Sequence, residues 1–260
     1  MTAGIHPTAI VEPGATIGPG CRIGPYCTVG PEVTLGARVT LKSHVVVTGW
    51  TEIAEDCTIW PFACVGEAPQ DLKYRGERTR LEVGARTRIR EGATLNTGTS
   101  GGGGVTRVGA DCLFMTGAHV GHDCQVGDRV IMANCSALGG HCEIGDDVII
   151  GGLTGIHQFV RLGRGAIVGG VSRVIHDVIP HGLVQGPDAV LEGLNLIGLK
   201  RRGMPRAEIQ ALRAAFRRLA EGEGAFAERA ATLRDSDSAA VRELAAFILD
   251  ASSRSFLTPA

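Results

Sequence analysis

Aromatic side chains, excess charge of either sign and long apolar runs are all scarce in this sequence. Aromatic residues make up 4% of the 260 residues, and 26 basic residues oppose 27 acidic ones, for a net charge of −1. The balanced charge gives no reason to expect nucleic-acid binding. No run of about 18 apolar residues is available to cross a membrane, and no secretory signal is seen. We therefore expect a cytoplasmic protein with no nucleic-acid partner and no stable membrane insertion.

With few aromatic residues, the core must be built from small aliphatic side chains, and these recur at every sixth position. One series covers 5–65 and returns in the same phase at 83–95, and a second series, shifted by one residue, covers 108–174. A fixed short period over such a length is typical of a stacked β-helix. The pattern predicts short strands, three in each triangular coil of about 18 residues, with coils stacked about 4.8 Å apart.

The position two residues before each aliphatic residue is mostly small, and cysteine often fills it. Six of the eight cysteines lie there: Cys21, Cys27, Cys57, Cys112, Cys124 and Cys142. A buried cysteine serves as a small apolar side chain. Since the sequence also lacks C-x-x-C and is too long to need covalent staples, we expect structural cysteines rather than disulfides or metal ligands.

Two segments interrupt the sixfold period. The charged segment 67–80 (EAPQDLKYRGERTR) predicts an external loop, a common place for function on a rigid scaffold. The segment 96–107 contains four consecutive glycines, 101–104, and shifts the phase by one residue. No Gly-Lys-Ser/Thr follows them and no helix starts there, so we interpret this segment as a flexible loop rather than a phosphate cradle.

The sixfold period gives way to helical patterns towards the C-terminus. One apolar stripe is bounded by Pro205 and Gly222, and another follows Ser238, a suitable helix cap. We predict an all-β solenoid, a parallel β-helix of hexapeptide repeats at 1–187, followed by an α-helical domain at 188–260. The helical domain is expected to cover the open edge of the last coil.

Four histidines concentrate at one predicted corner. Since residues about 18 apart stack in successive coils, the segments 121–123 (GHD), 139–141 (GGH) and 157–159 (HQF) lie at the same corner, with His119 just before the first. All three segments follow a buried aliphatic residue, so we expect them on a turn that faces solvent. A concentration of this kind is not explained by packing and predicts a functional site.

The residues at this corner could provide the groups that acyl transfer needs. His122 can act as a general base near neutral pH, with Asp123 beside it to orient the ring. Gly140 lies one coil above, and its amide, uncovered by a side chain, suits an oxyanion. A base and an oxyanion donor without a Ser or Cys nucleophile indicate direct transfer rather than a covalent intermediate.

Two other classes of function are open. Gamma-class carbonic anhydrases are trimeric left-handed β-helices that hold zinc with three histidines at a subunit interface, and His119, His122 and His141 could be recruited in the same way. The basic helical tail and the charged loop are not features of that class. A non-catalytic scaffold or binding module is the other alternative. Zinc content tests the first, and turnover with an acyl carrier thioester tests the second.

Several segments resemble the UDP-N-acetylglucosamine O-acyltransferase family of hexapeptide-repeat transferases. The motifs are specific and span nearly the whole chain: GEAPQDLKYRGERTR (66–80), GAHVGHDC (117–124), GGHCEIGDD (139–147), GLTGIHQFV (152–160) and GLNLIGLKRRG (193–203). The resemblance implies a left-handed helix and a homotrimer with active sites between subunits. It also implies transfer of a (R)-3-hydroxyacyl chain from acyl carrier protein to the 3-position of UDP-N-acetylglucosamine, the first step of lipid A biosynthesis.

The same resemblance assigns roles to individual residues. It implies His122 as the general base for the sugar 3-hydroxyl, Asp123 as its support and the Gly140 amide as the donor to the oxyanion. Gly170 matches the position that limits acyl length, where glycine favours a chain on the order of 12–14 carbons. No metal or bound cofactor is implied, because the 4′-phosphopantetheine arrives on the carrier protein. Substrate contacts are implied for Gln70, Asp71, Lys73, His119, His141, His157, Gln158, Asn195, Arg201 and Arg202.

The sequence departs from the family pattern near the nucleotide-sugar end. Asn96 and Asp188 stand where the family often has histidine, and Ile197 stands where it often has glutamate. The acceptor is therefore either the 3-hydroxy sugar or its 3-amino analogue. The sibling family that N-acylates the next lipid A precursor is a further alternative, although it usually has an additional N-terminal domain. Basic residues at 200–218 are expected to help dock the acidic carrier protein.

Overall fold

The computed structural model describes residues 4–259, and very short β-strands, most of them two residues long, recur along the chain up to residue 194. In chain order the strands are β1 (Gly4–Ile5), β2 (Ile10–Val11), β3 (Thr16–Ile17), β4 (Arg22–Ile23), β5 (Thr28–Val29), β6 (Thr34–Leu35), β7 (Thr40–Leu41), β8 (Val46–Val47), β9 (Trp50–Ile53), β10 (Thr58–Ile59), β11 (Cys64–Glu67), β12 (Arg80–Val83), β13 (Arg88–Ile89), β14 (Thr94–Asn96), β15 (Val105–Val108), β16 (Leu113–Phe114), β17 (His119–Val120), β18 (Gln125–Val126), β19 (Ile131–Met132), β20 (Ala137–Leu138), β21 (Glu143–Ile144), β22 (Ile149–Ile150), β23 (Gly155–Ile156), β24 (Arg161–Leu162), β25 (Ile167–Val168), β26 (Arg173–Val174), β27 (Gly182–Gln185) and β28 (Val190–Leu194).

The strands form three sheets, which we call faces A, B and C. Face A has the order β1-β4-β7-β10-β13-β16-β19-β22-β25-β27-β28, face B the order β2-β5-β8-β11-β14-β17-β20-β23-β26, and face C the order β3-β6-β9-β12-β15-β18-β21-β24. Up to β27 the neighbouring strands are parallel and pair residues one coil apart, as Gly4 with Arg22 and Ile131 with Ile149. The stacked coils predicted from the sixfold period are therefore confirmed.

The core is built from the aliphatic residues of the sixfold series. Every member of both series is buried from Ile23 onward, whereas Ile5, in the first coil of the stack, is 51% exposed. The six cysteines of the small position are buried, and all eight are unpaired. Their Sγ atoms donate to corner carbonyls, as Cys124 does to Gly139 O at 3.1 Å. The thiols thus satisfy backbone acceptors that the core would otherwise bury without a partner.

The corner between faces A and B, the A–B corner, exposes apolar side chains. Four of them are among the largest exposed hydrophobic residues: Tyr26, Phe62, Leu153 and Val171. The His44 ring lies between those of Tyr26 and Phe62, with centroids 5.1 and 5.2 Å away. These apolar side chains lie towards the two ends of the stack, and in the middle coils Gly92, Gly117 and the Arg90–Glu91 ion pair occupy the same corner.

The corner between faces C and A, the C–A corner, carries a ladder of ion pairs instead. Arginine and aspartate alternate from coil to coil, and the pairs are Arg38 with Asp56, Arg86 with Asp111, and Arg129 with Asp147. Between 19% and 59% of each of these side chains is exposed, so this corner is compatible with water. The histidines lie at the third, B–C corner.

The faces also differ in the polarity of their outward side chains. On face A, five partly buried apolar residues follow one another in register and form what we call the apolar ridge: Leu113, Ile131, Ile149, Ile167 and Leu183. On face C the outward positions are polar, and Arg107 donates to Glu82 there at 2.8 Å. Face B carries small residues at Ala137 and Gly155, above His119.

The stack ends in an antiparallel strand rather than in a helix. β28 pairs with β27 on face A, so the helical pattern expected from residue 188 begins only at Leu196. The five residues of β28, VLEGL, are too few to establish a strand period in the sequence. The helices that follow are α1 (Leu196–Arg201), α2 (Arg206–Glu221), α3 (Phe226–Ala231) and α4 (Ala239–Leu249). None of the helices in residues 4–259 has the length and hydrophobicity needed to cross a membrane.

The predicted helix boundaries are confirmed, and a buried ion pair anchors the helical region. Pro205 and Gly222 flank α2, and the Ser238 side chain accepts a hydrogen bond from the first turn of α4. Arg161 Nε donates to Asp177 Oδ2 at 2.8 Å, and both side chains are at most 6% exposed. The same guanidinium reaches Asp250 and the Phe247 carbonyl, each at 3.2 Å. Arg161 therefore joins the β-helix to the end of α4.

Candidate active site

The structure brings His122 and Asp123 into direct contact at the B–C corner. His122 Nδ1 lies 2.8 Å from Asp123 Oδ2, and Asp123 adopts the left-handed conformation with φ of 60°. Since a carboxylate only accepts, Nδ1 carries the hydrogen and Nε2 keeps a lone pair for a proton. The expectation of a solvent-facing turn is wrong for this pair: 8% of His122 and 4% of Asp123 are exposed.

The Asp123 carboxylate is held by Thr99, a residue that sequence reasoning missed. The Thr99 amide donates to Oδ1 at 2.8 Å, and the Thr99 hydroxyl donates to Oδ2 at 2.7 Å. The Asp123 amide in turn donates to Thr106 Oγ1 at 2.7 Å. Both carboxylate oxygens are therefore engaged from the side opposite His122.

The glycine run contributes close packing rather than a phosphate cradle. Ser100–Gly102 form a single 3₁₀ turn, and a Cβ on Gly102 would lie 2.1 Å from Asp123 Cγ. A Cβ on Gly98 would lie 2.7 Å from Asp123 Oδ1. These two positions therefore accept only glycine, because the loop backbone lies directly on the carboxylate.

Gly140 covers the other side of the His122 ring. A Cβ on Gly140 would lie 2.5 Å from both Cε1 and Nε2 of His122, so any larger residue would displace the imidazole. The next amide, that of His141, donates to the His122 carbonyl at 2.9 Å. Within residues 4–259, the Gly140 amide donates no backbone hydrogen bond. It remains available to an oxygen that approaches His122 Nε2.

His141 and His119 flank the pair. His141 Nε2 lies 3.8 Å from Asp123 Oδ2, and its ring stacks on Phe159 with centroids 4.4 Å apart. His119 projects from β17, with Nδ1 2.8 Å from Thr94 Oγ1. Burial lowers the pKa of both His119 and His141. Both rings are therefore neutral at neutral pH and can donate and accept hydrogen bonds with a polar substrate.

His157 and Gln158 lie one coil higher, next to the C-terminal segment. Arg254 Nη2 lies 2.8 Å from His157 Nδ1, and Arg254 Nε donates to the Gln158 carbonyl at 3.1 Å. Gln158 packs over Gly139, where a Cβ would lie 3.1 Å from Gln158 Cγ. No sequence pattern connects Arg254 to this corner, because 97 residues separate it from His157.

The charged loop between β11 and β12 also reaches the histidine corner. Burial is the main cause of the lowered pKa of His141, but Asp71 raises this pKa and Lys73 lowers it. Their charges therefore lie near the ring. The Asp71 carboxylate accepts from the Lys73 amide at 2.9 Å, and Gln70 is exposed beside them. Ser100 donates to Glu77 at 3.0 Å, so the two inserted loops touch each other.

Four predicted site residues lie away from the histidines: Gly170, Asn195, Arg201 and Arg202. Gly170 is at the A–B corner. Asn195 caps α1 by accepting from the Gly198 amide at 2.9 Å, and it donates to the Gly165 carbonyl at 3.0 Å. A Cβ on Gly165 would lie 2.5 Å from Arg202 Nη2, which places this guanidinium at the C–A corner. Arg201 is exposed at the end of α1. Within one described chain, these residues and His122 occupy different corners.

The three departures from the family pattern have identifiable surroundings. Asn96 Nδ2 donates to the Ala68 carbonyl at 2.9 Å and so closes the base of the charged loop. Asp188 pairs with Arg173 at 3.0 Å, and Ile197 is 68% exposed. Asp188 and Ile197 thus remain accessible at the surface.

One further histidine is buried next to Arg202. His181 is 2% exposed, and neither ring nitrogen has a hydrogen-bond partner among the described residues. Burial lowers the pKa of His181 to about 4, with smaller effects from Glu243 and Arg202. The imidazole is therefore neutral in the folded protein near neutral pH.

The ligand atoms of His122, Asp123 and His141 lie within 4.8 Å of one another, close enough to consider a metal ion. His119, which a three-histidine zinc site would need, is not part of this group. Asp123 already accepts two hydrogen bonds from Thr99 and one from His122. The donor set is therefore that of a hydrogen-bonded pair with a neighbouring histidine.

Models of known protein families match both parts of the chain. A model described as UDP-N-acetylglucosamine O-acyltransferase, domain 2, matches residues 177–257. The bacterial transferase hexapeptide model, with six repeats, matches residues 2–31 and 106–140.

Named relatives agree with these matches. The acyl-[acyl-carrier-protein]–UDP-N-acetylglucosamine O-acyltransferase of Caulobacter vibrioides is 55% identical over 257 residues, or 98% of each chain. The protein of the same name from Paracoccus denitrificans is 59% identical over 202 residues, or 77% of each chain. A crystal structure of a UDP-N-acetylglucosamine acyltransferase has a TM-score of 0.96 and 39% identity, covering 99% of each chain. The predicted fold class, a left-handed parallel β-helix with a C-terminal helical part, is confirmed.

Proposed function

The chain belongs to the UDP-N-acetylglucosamine O-acyltransferase family, and we propose that it transfers a (R)-3-hydroxyacyl chain from acyl carrier protein to the 3-hydroxyl of UDP-N-acetylglucosamine. This is the reaction that begins lipid A biosynthesis. The observation that carries the proposal is the position of the His122 ring between Asp123, which orients it, and Gly140, whose amide is free. The names of the relatives support the two substrates.

In the proposed mechanism His122 Nε2 takes the proton of the sugar 3-hydroxyl. The alkoxide oxygen attacks the thioester carbonyl, and the Gly140 amide donates to the resulting oxyanion. The intermediate collapses, the C–S bond breaks, and the phosphopantetheine thiolate recovers the proton from Nε2. Asp123, 2.8 Å from Nδ1, stabilises the imidazolium that exists between these steps. A positioned general base contributes about 10²- to 10⁴-fold to the rate.

We propose that three copies assemble with face B of one against face A of the next. Face C and the C–A corner are charged and suit water, whereas the A–B corner exposes the four large apolar side chains of Tyr26, Phe62, Leu153 and Val171 and is therefore assigned to the threefold axis. This arrangement sets the B–C corner of one copy opposite the C–A corner of its neighbour. Asn195 and Arg202 would then approach His122 from the adjacent subunit. Light scattering should give a mass about three times 27.1 kDa.

The same arrangement provides a path for the acyl chain. The apolar ridge on face A would line the cleft opposite the small residues Ala137 and Gly155 of face B. Gly152 and Gly170 stack at the inner end of this cleft, where a Cβ on Gly170 would lie 3.2 Å from the Gly152 carbonyl oxygen. Each methylene buried in the cleft adds about 0.8 kcal/mol to the binding free energy of the acyl chain. A cleft of fixed depth therefore favours the longest chain that it can hold.

The acidic carrier protein would dock on the basic surface of α1 and α2. Seven basic side chains from the end of α1 through α2 are exposed: Lys200, Arg201, Arg202, Arg206, Arg213, Arg217 and Arg218. If the surface acts electrostatically, the apparent affinity for the carrier falls as salt rises. The charge-reversal variant Arg213→Glu/Arg217→Glu should raise KM for the carrier thioester. Unchanged kinetics in this variant, together with salt-independent kinetics of the parent, would identify an ordinary solvated helix face.

We propose that no metal or cofactor resides in the protein, and that the phosphopantetheine is supplied by the carrier. Engagement of both Asp123 oxygens by hydrogen bonds supports the first statement. We also propose a cytoplasmic location, which the eight unpaired cysteines support because thiols persist in reducing compartments. Measurement of zinc in the purified protein tests the metal statement.

The proposed function is tested by mass analysis of the products. Purified protein would receive UDP-N-acetylglucosamine or its 3-amino analogue, with a panel of 3-hydroxyacyl carrier thioesters. We expect an ester at the sugar 3-position and release of free carrier thiol in equal amount. Product only from the amino sugar would assign the acceptor to the analogue. Absence of turnover with every thioester, or turnover of carbon dioxide by a zinc-loaded protein, would contradict the proposal.

A further inference from the structure

We propose that Thr99 is a positioning residue for acyl transfer: its amide and hydroxyl fix the Asp123 carboxylate at the rotation in which Oδ2 faces His122 Nδ1. The distances are 2.8 Å from the Thr99 amide to Oδ1 and 2.7 Å from the hydroxyl to Oδ2. This inference rests on the proposed function of the His122–Asp123 pair and extends it to the loop at 97–104.

The conformation of the loop leaves the amide and the hydroxyl of Thr99 free to donate to the Asp123 carboxylate. Thr99 precedes the 3₁₀ turn in an extended conformation, where a threonine hydroxyl usually caps the turn, yet no capping bond is made by its side chain. The Thr99 carbonyl accepts from the amides of Gly102 and Gly104 at 3.1 and 2.8 Å. Because the turn is closed through this carbonyl, the amide and the hydroxyl of Thr99 are free to bind Asp123. The residue is 6% exposed, so water does not compete for these bonds.

Without the Thr99 hydroxyl, the carboxylate would be held only by the Thr99 amide at Oδ1 and by His122 at Oδ2. The Asp123 backbone is tied separately, through its amide to Thr106. The position of Asp123 would therefore survive loss of the Thr99 hydroxyl, while the direction of Oδ2 would be less tightly fixed. Loss of this donor also leaves more of the negative charge of Oδ2 to His122, the other donor to that oxygen. His122 would then hold a proton more tightly and be less often available as a base at a given pH.

The test is the pair of variants Thr99→Val and Thr97→Val. Valine has the shape of threonine without the hydroxyl, and both positions are buried in the same loop at 6% and 3% exposure. Among residues 4–259, the Thr97 hydroxyl has a single hydrogen-bond partner, the Thr79 hydroxyl at 3.1 Å, so Thr97→Val controls for loop packing. Thr99→Ser keeps the hydroxyl. Each variant would be assayed as the assembled protein with both natural substrates, from pH 5 to 9.

We expect Thr99→Val to lower kcat about 10- to 100-fold, the scale seen when a partner that orients a functional group is removed. KM for the nucleotide sugar should stay within about twofold, and the acid limb of the kcat/KM profile should move to higher pH. Thr99→Ser should restore most of kcat, and Thr97→Val should resemble the parent. If Thr99→Val does not fold, Thr99→Ala removes the same hydroxyl with less bulk and serves in its place.

Two outcomes would overturn the inference. One is a Thr99→Val protein with the kcat and the pH profile of the parent. The other is an equal loss in Thr99→Val and Thr97→Val with no shift of the acid limb, which would assign the effect to loop packing. Normal turnover of His122→Ala would instead contradict the proposed function itself, so the two failures are distinguishable.

Discussion

The substitution Gly140→Ala tests the geometry of the site with a single added methyl group. The new Cβ would lie 2.5 Å from His122 Cε1 and Nε2, where van der Waals contact requires about 3.5 Å, so the ring must move by about 1 Å. The ring is confined on the other side by its 2.8 Å bond to Asp123. Misplacement of a reacting group by about 1 Å costs on the order of 10²-fold in rate. We expect kcat to fall about 10²- to 10³-fold with the fold intact.

The matched control for this prediction is Gly4→Ala. A Cβ on Gly4 meets nothing within 4 Å, and Gly4 does not have a positive φ. Turnover would be followed by mass spectrometry of the acylated sugar, and assembly by light scattering. Gly140→Ala protein that folds, assembles and turns over within threefold of the parent would show that the ring is not confined by Gly140 as the structure indicates.

Substitutions of His122, Gly170, Arg161 and His181 test four other features of the protein. His122→Ala should keep its assembly and lose about 10²-fold or more in kcat; normal turnover would refute its role as the base. Gly170→Met should shift product preference to a chain several carbons shorter, and an unchanged chain-length profile would place the end of the pocket elsewhere. Arg161→Ala should lower the free energy of unfolding by about 3 kcal/mol, because the fully buried Asp177 loses its countercharge and keeps only hydrogen bonds from the Arg161 amide and the Ser252 hydroxyl; urea midpoints measure this, with Arg161→Met/Asp177→Asn as the milder control. Burial lowers the pKa of His181 from 6.5 to about 4 in the folded protein, so the unfolded chain binds the proton first as pH falls. The free energy of unfolding should therefore be unaffected by His181 above pH 6.5 and should fall by up to about 3 kcal/mol between pH 6.5 and pH 4. His181→Phe should lack this part of the pH dependence.

The sixfold period was sufficient to predict the coils because each side chain in the core is fixed by purely local rules. A strand alternates between inside and outside, and a corner follows after six residues, so burial of Val29 or Val120 is decided by its own hexapeptide. Stacking then follows from the coil length alone. This is why the contact of His122 with Gly140, one coil apart, could be predicted without coordinates.

The residues that were missed are bonded across irregular backbone. Thr99 reaches Asp123 over 24 residues from a loop that is out of phase with the repeat. Arg254 reaches His157 from the end of the chain, and β28 adds to face A after the period has stopped. No local rule fixes these contacts, because the path of each segment depends on the surface onto which it folds. The same limit applies to Asn195 and Arg202, which approach His122 only in the trimer that we propose.

The sequence nevertheless contained an indication of where the irregular backbone would matter. Both insertions, at 68–79 and 97–104, connect a face-B strand to a face-C strand, and so do the segments that carry His122, His141 and His157. The insertions therefore lie at the B–C corner, in the two coils that stack directly beneath His122. In a regular solenoid every coil is equivalent, and an added loop at a corner leaves the strand pairing of its neighbours intact. Loops inserted at one corner of two adjacent coils make that corner different from all the others, while the pairing of the stacked strands is kept. The coil just below His122 supplies Thr99 to Asp123, and the one beneath it carries Asp71 and Lys73, whose charges make small contributions to the lowered pKa of His141. The phase of the interruption at 97–104 in the repeat thus indicates that this loop neighbours His122, although not which of its residues makes the contact.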